Sequence, residues 1–184
     1  MSRLHQAFNF MASDVNYEVQ RTNQFTVDIM GLLNSEAVTL AVETANIPAT
    51  TISPIPLAHG NTKTKVAGQV EVETMTIGVK DFILLDMEEI IYKWHNEVYQ
   101  YETGRIGWAE FYKKQGQLYL FSPDGQIMRS WTLQGLWPSN ITWGDFTYDG
   151  GDKRQIDMTL EVDKVYRNEG SSGSVLPLDQ VTES

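Results

Sequence analysis

The sequence predicts a mainly β domain, an antiparallel β-sandwich or barrel with one flanking α-helix. Three observations predict this class. Several segments alternate apolar and polar side chains, the pattern of strands that bury one face. One segment, at about residues 84–101, instead repeats its apolar residues in steps of three and four, as an amphipathic helix does. Glycines, prolines and polar clusters separate the segments, and several strands interrupted by one helix fit a sandwich or barrel.

Four segments alternate clearly enough to be predicted as strands: residues 24–31, 36–48, 69–79 and 155–165. In the second segment Val38, Leu40 and Val42 share the predicted buried face, and Pro48 ends the strand. The third and fourth segments place the following residues on one face: Val70, Val72 and Thr74, then Ile156, Met158, Leu160 and Val162. The opposite faces of these strands are largely acidic.

The predicted helix has an apolar stripe on one side: Leu84, Met87, Ile91, Trp94, Val98 and Tyr101. Asp81 is the predicted cap of its N-terminus, and Gly104 is placed where a helix would stop. Glu89 and Lys93 form a favourable pair four residues apart on another face. The stripe is too short for a stable coiled coil, so we expect the helix to pack on a sheet.

Residues 117–136 are predicted to form a hairpin. Pro123, Asp124 and Gly125 provide the backbone angles of a tight turn at its tip. Its second strand is predicted to end at a corner of four residues: Gly135, Leu136, Trp137 and Pro138. After a pause the chain resumes as the last strand.

The composition excludes several classes of protein. A chain of 184 residues is long enough for one core, and its 41% hydrophobic share is that of a globular domain. The absence of cysteine excludes disulfides and thiolate metal sites. The net charge of −10 disfavours a protein that grips nucleic acid through its phosphates. With neither a membrane-length apolar run nor a signal-peptide pattern, we expect synthesis in the cytoplasm.

No catalytic constellation can be named. The three histidines, His5, His59 and His95, have no partners at metal-ligand spacing, and the chain lacks a nucleophile elbow and a phosphate-binding loop. We therefore expect neither an enzyme nor a bound cofactor. One different class stays open, a monomeric β-barrel that binds a small ligand near Trp131, Trp137 and Trp143.

Two features are unusual for a monomer. The stretch of residues 57–69 is longer than a hairpin connection needs, and such loops are usually functional or disordered. The preceding prolines allow at most an edge strand there. The second feature is the acidic face repeated over several predicted strands, which is typical of a solvated surface or of the wall of a larger assembly.

The corner identifies a family. Residues 135–140, Gly-Leu-Trp-Pro-Ser-Asn, and the segment that follows resemble the end of the tail tube protein of contractile-tailed bacteriophages. Residues 21–29 are similar to the family's entry strand. Residues 43–82 are similar to its next strand, its lysine-containing loop, its Val-Ala-Gly triplet and the strand after it. The similar segments occur in the family's order and cover about residues 20–165.

The resemblance implies hexameric rings that stack into a hollow tube inside a contractile sheath, through which the genome passes. Sheets of six subunits would join into one β-barrel that lines the lumen. The corner would be a rigid stop, with Trp137 anchored in the core and Pro138 unable to continue the ladder. The long loop would reach an adjacent ring through these residues: Gly60, Asn61, Lys63, Lys65 and Gly68. The acidic lumen candidates, which would keep DNA from sticking, are Glu43, Glu71 and Glu73.

The implied partners are the tail sheath protein, a baseplate or tube initiator, and the tape measure protein and DNA in the lumen without specific binding. The resemblance implies no membrane anchor and a place in the tail tube of the virion. Residues 25–168 would form the tube domain, residues 1–24 an N-terminal arm and residues 169–184 a flexible tail. The alternative within this class is the tube of a phage-derived injection device, a tailocin or a type VI secretion apparatus.

Overall fold

The computed structural model describes residues 19–148 and 153–168. Most of the predicted N-terminal arm and all of the predicted tail lie outside the described residues. In the described ranges no helix is long and apolar enough to span a bilayer. The elements follow in this order: β1 (Phe25–Met30), α1 (Ser35–Ala41), β2 (Val42–Ala45), β3 (Thr50–His59), β4 (Thr62–Val72), β5 (Met75–Lys80), α2 (Met87–Val98), β6 (Tyr99–Gln100), β7 (Arg105–Ile106), α3 (Ala109–Tyr112), β8 (Lys114–Phe121), β9 (Ile127–Thr142), β10 (Gln155–Glu161) and β11 (Lys164–Arg167).

Two antiparallel four-stranded sheets share the long strand β9. The first half of β9 pairs with β8 on one side and β11 on the other, and β1 pairs with β8 to complete sheet A. The second half of β9 pairs with β10, which is followed by β5 and β2 to form sheet B. Strands β3–β4 and β6–β7 form two separate ribbons. The prediction of a mainly β, antiparallel fold is confirmed.

The core lies between the inner faces of the two sheets and beneath α1 and α2. Val27 and Ile29 enter it from β1, as their alternation predicts. The predicted apolar row of the last strand is also buried: Ile156, Met158, Leu160 and Val162. Burial of each such side chain stabilises the fold by about 1.5–3 kcal/mol.

The segment predicted as a strand from residue 36 begins as a helix, so this prediction is wrong for residues 35–41. Ala37, Val38 and Ala41 are buried at helical spacing, whereas Leu40 is 76% exposed. Over seven residues the apolar positions fit either period, so the pattern alone does not decide between helix and strand. The helix prevails because its buried face packs against β1 and β5 beside the core.

The segment predicted as one strand over residues 69–79 is two strands. Strand β4 ends at Val72, Glu73 and Thr74 interrupt the pairing, and β5 begins at Met75. The buried face of β5 therefore consists of Met75, Ile77 and Val79. The apolar positions change from even-numbered to odd-numbered residues across this interruption, because β4 belongs to a ribbon outside the core and β5 to sheet B. The predicted buried face, which was derived from Val70 and Val72, is therefore wrong beyond Thr74.

The predicted flanking helix exists as α2, shorter than the range 84–101. Met87, Ile91 and Trp94 are buried as predicted, but Leu84 lies in the preceding turn and is exposed. The N-terminal cap is Asp86, whose Oδ1 accepts a hydrogen bond of 3.1 Å from the backbone N–H of Glu89. The predicted cap, Asp81, instead pairs with an arginine. Two further short helices, α1 and α3, occur within the described residues.

The Pro123–Gly125 turn joins β8 and β9 as predicted. The corner at residues 135–138 does not end the strand, and the prediction of a strand end there is wrong. Strand β9 passes through the corner and changes its partners from sheet A to sheet B. A bulge accompanies this change, because pairing skips Gly135, and bulges bend a strand without ending it.

The anchoring residue of the corner is also corrected. Leu136 and Pro138 are buried, whereas Trp137 is only half-buried and meets the ring of Tyr112 edge-on, with ring centroids 5.9 Å apart. Leu136 is therefore the side chain that fixes the corner in the core. Trp137 faces outward because β9 is bulged at Gly135.

Candidate assembly surfaces

The long loop predicted to reach an adjacent ring is an ordered two-stranded hairpin. Strands β3 and β4 pair with each other along Thr50–Val72 and with no strand of the two sheets in the described residues. Gly60 and Asn61 form the tip, where Thr62 Oγ1 donates a hydrogen bond of 3.0 Å to the His59 carbonyl. Nearly every residue of both strands is exposed. The hairpin thus projects from the body of the subunit.

The distal half of this hairpin has an apolar face and a basic face. Ile55 pairs with Val66, and Leu57 with Thr64, so that three exposed apolar side chains share one face. Lys65 pairs with Pro56 and lies on the other face, as does Lys63 opposite Ala58. An exposed apolar face of this kind needs a covering surface in an assembly.

The prolines determine which edge of the hairpin can accept another strand. Pro54 and Pro56 lie in β3, and proline is tolerated in a strand where its nitrogen points away from the ladder. The outer edge of β3 therefore lacks two donors and resists addition of another chain. The prediction that the prolines allow only an edge strand is confirmed.

A bulge at Gly68 shapes the hairpin near its base. The register shifts between Ile52 and Pro54, opposite Gly68 and its neighbour. A Cβ at Gly68 would lie 2.5 Å from the Ser53 carbonyl oxygen and 2.8 Å from Ile55 Cγ1. Only glycine fits so close an approach, which gives this residue a structural role.

The hairpin continues directly from sheet B. The backbone N–H of Glu73 donates a bond of 2.8 Å to the Ala49 carbonyl, and Val72 packs against the core. Strands β2 and β5, which lead into and out of the hairpin, are neighbours in that sheet. The hairpin is therefore an extension of the outer two strands of sheet B.

The three acidic lumen candidates do not lie on one sheet face, which corrects their grouping. Glu71 is an exposed residue of the hairpin, and Glu73 is exposed in the break between β4 and β5. Glu43 is half-buried in β2, within sheet B. The three residues lie in β2, in β4 and in the break after β4, so their alternation in the sequence does not place them on a common face.

Glu43 is neutralised by two lysines. Its Oε1 lies 3.6 Å from Lys80 Nζ and also accepts a hydrogen bond from Lys153 Nζ, while Oε2 is buried without a hydrogen-bond partner. The hydrogen bond from Lys153 is the main cause that lowers the pKa of Glu43 below its ordinary value of 4.5, and the charges of Lys153 and Lys80 lower it further. Glu43 therefore contributes little net negative charge to any surface.

The lowered pKa predicts how stability depends on pH. The unfolded chain binds a proton at Glu43 more readily than the folded chain, so the ion pairs stabilise the fold above the ordinary pKa of 4.5. This contribution is lost as the pH falls below 4.5 through the lower pKa of the folded state. Urea unfolding at pH 7 and in acid should show a smaller pH-dependent loss for Glu43→Gln than for the unchanged protein. Equal losses for both proteins would contradict the assignment.

The outer face of sheet B contains polar residues that sequence reasoning did not select. Thr44, Gly78, Asp157 and Thr142 lie side by side across its four strands. A Cβ at Gly78 would overlap Thr44 Oγ1 and lie 2.9 Å from Asp157 Oδ1, so this face is closely packed. Asp157 and Glu161 of β10 are acidic residues of this face, and Lys80 of β5 lies on the same face opposite Gln155. Both acidic residues belong to the acidic face that the alternation of β10 predicts, but neither is among the lumen candidates named from the sequence.

Sheet B is also open on both sides. In the described part of the chain, β2 pairs only with β5, and the second half of β9 pairs only with β10. A strand edge without a partner exposes backbone donors and acceptors that another chain can pair with. Sheet B thus has two free edges and one polar face, the features of a segment of a larger barrel.

The structure offers little support for a ligand site at the three tryptophans. Trp143 lines a cavity of about 440 Å³ between α2 and the end of β9, together with Tyr92, His95 and Tyr101. His95 stacks on Tyr101 with centroids 5.7 Å apart, and burial lowers the pKa of His95. Trp131 and Trp137 lie elsewhere and do not line this cavity. Among the described residues no cluster of side chains is suited to hold a metal ion.

Comparison with known proteins agrees with this architecture. Residues 21–165 match the family described as T4-like virus tail tube protein gp19. No curated protein matches the chain by sequence. A chain of the PVC sheath–tube complex, from an extracellular contractile injection system in its extended state, is 16% identical with a TM-score of 0.65 over 91% of this chain and 98% of that chain. A chain of the anti-feeding prophage cap, the AFP tube terminating cap, is 19% identical with a TM-score of 0.65 over 85% of this chain and 96% of that chain.

At sequence identities below 20% the solved structures establish only a shared fold, two sheets with a flanking helix. Membership of the family is established by the sequence match. That match covers far more than half of the chain, beginning just before β1 and ending within β11. The chain therefore belongs to the tail tube protein family of T4-like viruses and is a structural subunit of a phage-like contractile tail.

Proposed function

We propose that six copies of this chain form a ring, and that rings stack into the hollow tube of a contractile tail that delivers the phage genome. The observation that supports the ring is that sheet B has two free edges. In the described residues, neither β2 nor the second half of β9 has a partner strand on its outer side. Pairing these two edges between neighbours closes a barrel without leaving a free edge. The match to a phage tail tube family favours this role over an injection device or a monomeric ligand-binding barrel.

The outer face of sheet B lines the lumen in this assembly. It consists mainly of short polar side chains such as Thr44, Thr76 and Thr159, with Asp157 and Glu161 as its acids. A wall with few cations and some negative charge does not grip a polyanion, so DNA slides through it. Glu71 and Glu73 add negative charge at the base of the hairpin, where the wall of one ring meets the next.

Reversing the charge of Glu71 and Glu73 is expected to slow genome delivery. Both side chains are exposed, so the variant Glu71→Lys/Glu73→Lys should form rings and tubes normally while its lumen attracts phosphate groups. Genome release from assembled particles, followed by dye binding to ejected DNA, measures the effect. The control is Glu102→Lys/Glu110→Lys, which changes the net charge equally at exposed residues outside sheet B and the hairpin. Release at the unchanged rate in the first variant would contradict a luminal position.

The tube requires other components of the tail. The sheath protein surrounds it, a baseplate or tube initiator nucleates it, and the tape measure protein and DNA occupy the lumen without specific binding. The subunit is synthesised in the host cytoplasm, acts without a cofactor or membrane anchor, and catalyses no reaction. Residues 25–168 form the tube domain.

Sedimentation velocity of the purified protein tests the ring. A species of six times the subunit mass, alone or in equilibrium with monomer, is the expected result. The proposal fails if the protein sediments only as a monomer at every concentration and is also not incorporated when tube seeds or baseplates are added.

A further inference from the structure

The turn between β5 and α2 exposes a continuous run of apolar side chains. Ile83 is 98% exposed and Leu84 is 96% exposed, and they are flanked by the partly exposed Phe82 and Leu85. We call residues 82–85 the apolar knob. Single exposed apolar residues are common on protein surfaces, but four in succession are typical of a contact surface.

The knob is held in place by backbone hydrogen bonds. The N–H groups of Leu85 and Asp86 both donate to the Phe82 carbonyl, at 3.1 and 3.0 Å. Before the turn, the N–H of Asp81 donates to the Arg154 carbonyl at 3.2 Å, and the Arg154 side chain binds both Asp81 and Glu88. The closed turn therefore presents Ile83 and Leu84 to solvent as a fixed protrusion.

The knob and the hairpin lie at opposite ends of the same strand. Strand β5 begins three residues after the hairpin ends at Val72, and it ends two residues before the knob begins. Its six residues span about 17 Å. A subunit that exposes one apolar surface at each end of a strand can bind copies of itself head to tail, and such a contact extends without limit as a stack.

The two surfaces are complementary in chemistry. The apolar face of the hairpin consists of Ile55, Leu57 and Val66, and residues 50–70 contain two lysines and no acidic residue. Four carboxylates flank the knob in the sequence and outnumber the two basic side chains paired with them, Arg154 and Lys93: Asp81, Asp86, Glu88 and Glu89. Lys63 and Lys65 lie on the other face of the same two-stranded ribbon.

We infer that the apolar knob of one subunit is the docking point for the hairpin tip of a second copy in the neighbouring ring. The inference rests on the proposed function and adds to it the surface that receives the hairpin. Ile83 and Leu84 contact Ile55, Leu57 and Val66, and the lysines of the hairpin approach the carboxylates beside the knob.

Disulfide trapping tests this contact, because the chain contains no native cysteine. In the variant Leu57→Cys/Leu84→Cys, tubes treated with a mild oxidant should yield a ladder of covalent multimers on a denaturing gel, since a disulfide requires the two Cα atoms to lie within about 7 Å. The matched control is Leu57→Cys/Leu40→Cys, which places the second thiol on another exposed leucine, in α1, and should stay monomeric on the gel. A ladder in the control of equal intensity would overturn the inference.

A charge placed in the knob provides a second test. Leu84→Asp is expected to leave the ring and its thermal stability unchanged and to slow tube growth from seeds at least tenfold, whereas Leu40→Asp should grow normally. Normal tube growth of Leu84→Asp, or visible tubes of the double-cysteine variant without a ladder, would overturn the docking contact and leave the tube function standing. A failure of the unchanged protein to form rings or tubes even with seeds would instead overturn the proposed function and this inference with it.

Discussion

Replacing Trp94 with alanine is expected to lower the free energy of unfolding by about 3–5 kcal/mol. Trp94 is 2% exposed and is the largest side chain of the core, in the middle of α2. Its Nε1 donates a hydrogen bond of 2.9 Å to the Tyr112 carbonyl, which ties α2 to α3. The substitution removes both the packed ring and this bond, a loss comparable to much of the stability of an ordinary domain. Urea unfolding followed by circular dichroism measures it.

The control for this prediction is Trp108→Ala. Trp108 is 79% exposed and precedes α3, so the same chemical change should alter the free energy of unfolding by no more than about 0.5 kcal/mol. A loss at Trp108 as large as that at Trp94 would mean that the assignment of the core is wrong. The fluorescence of the remaining tryptophans reports whether each variant is folded before the titration.

Replacing Gly135 with alanine is expected to destabilise the subunit by about 3 kcal/mol. Gly135 has φ +71, which costs an L-residue about 1–2 kcal/mol. A Cβ there would also lie 2.5 Å from Asp163 Cγ and 2.9 Å from Asp163 Cβ. Asp163 cannot move away freely, because its carboxylate pairs with Lys113 Nζ at 2.6 Å and its backbone N–H donates to the Gln134 carbonyl.

Gly125→Ala separates the two causes. Gly125 also has a positive φ, +83, but no atom lies within 4 Å of the position that a Cβ would take. Its substitution should therefore cost only the conformational part, about 1–2 kcal/mol. Thermal unfolding of both variants compares them directly. If the two losses are equal, the close approach of Asp163 is not what requires glycine at the corner.

The strands that bury one face could be predicted from the sequence. Val27 and Ile29, and the row from Ile156 to Leu160, alternate within single strands, so their period reports burial directly. The same argument identified Met87, Ile91 and Trp94 of α2. In these segments local pattern and tertiary packing agree.

The pattern misled wherever an apolar residue is exposed. Leu40 and Leu84 fit the stripes predicted for them, yet both point to solvent, because α1 starts at Ser35 and α2 starts at Met87. Periodicity cannot separate an apolar residue that packs inside its own chain from one that packs against another chain. Leu84 and Leu85 of the knob therefore fall within the predicted helix of residues 84–101, and their exposure is visible only in the structure.

The corner shows a further limit. The presence of Gly135 and Pro138 indicated a change of direction, and this change is real, but the sequence could not show that β9 continues through it. A strand that exchanges one sheet for another keeps its own backbone extended while its partners change. The partners, β8 and β11 before the corner and β10 after it, are distant in sequence.

Electron microscopy of the concentrated protein, with and without tube seeds, tests the tube assembly most directly. We expect rings with a central channel that stack into hollow tubes, with the hairpin bridging successive rings and sheet B facing the channel. Protein that forms no ring and adds to no seed would contradict it, and a tube whose channel is lined by sheet A would contradict the proposed lumen.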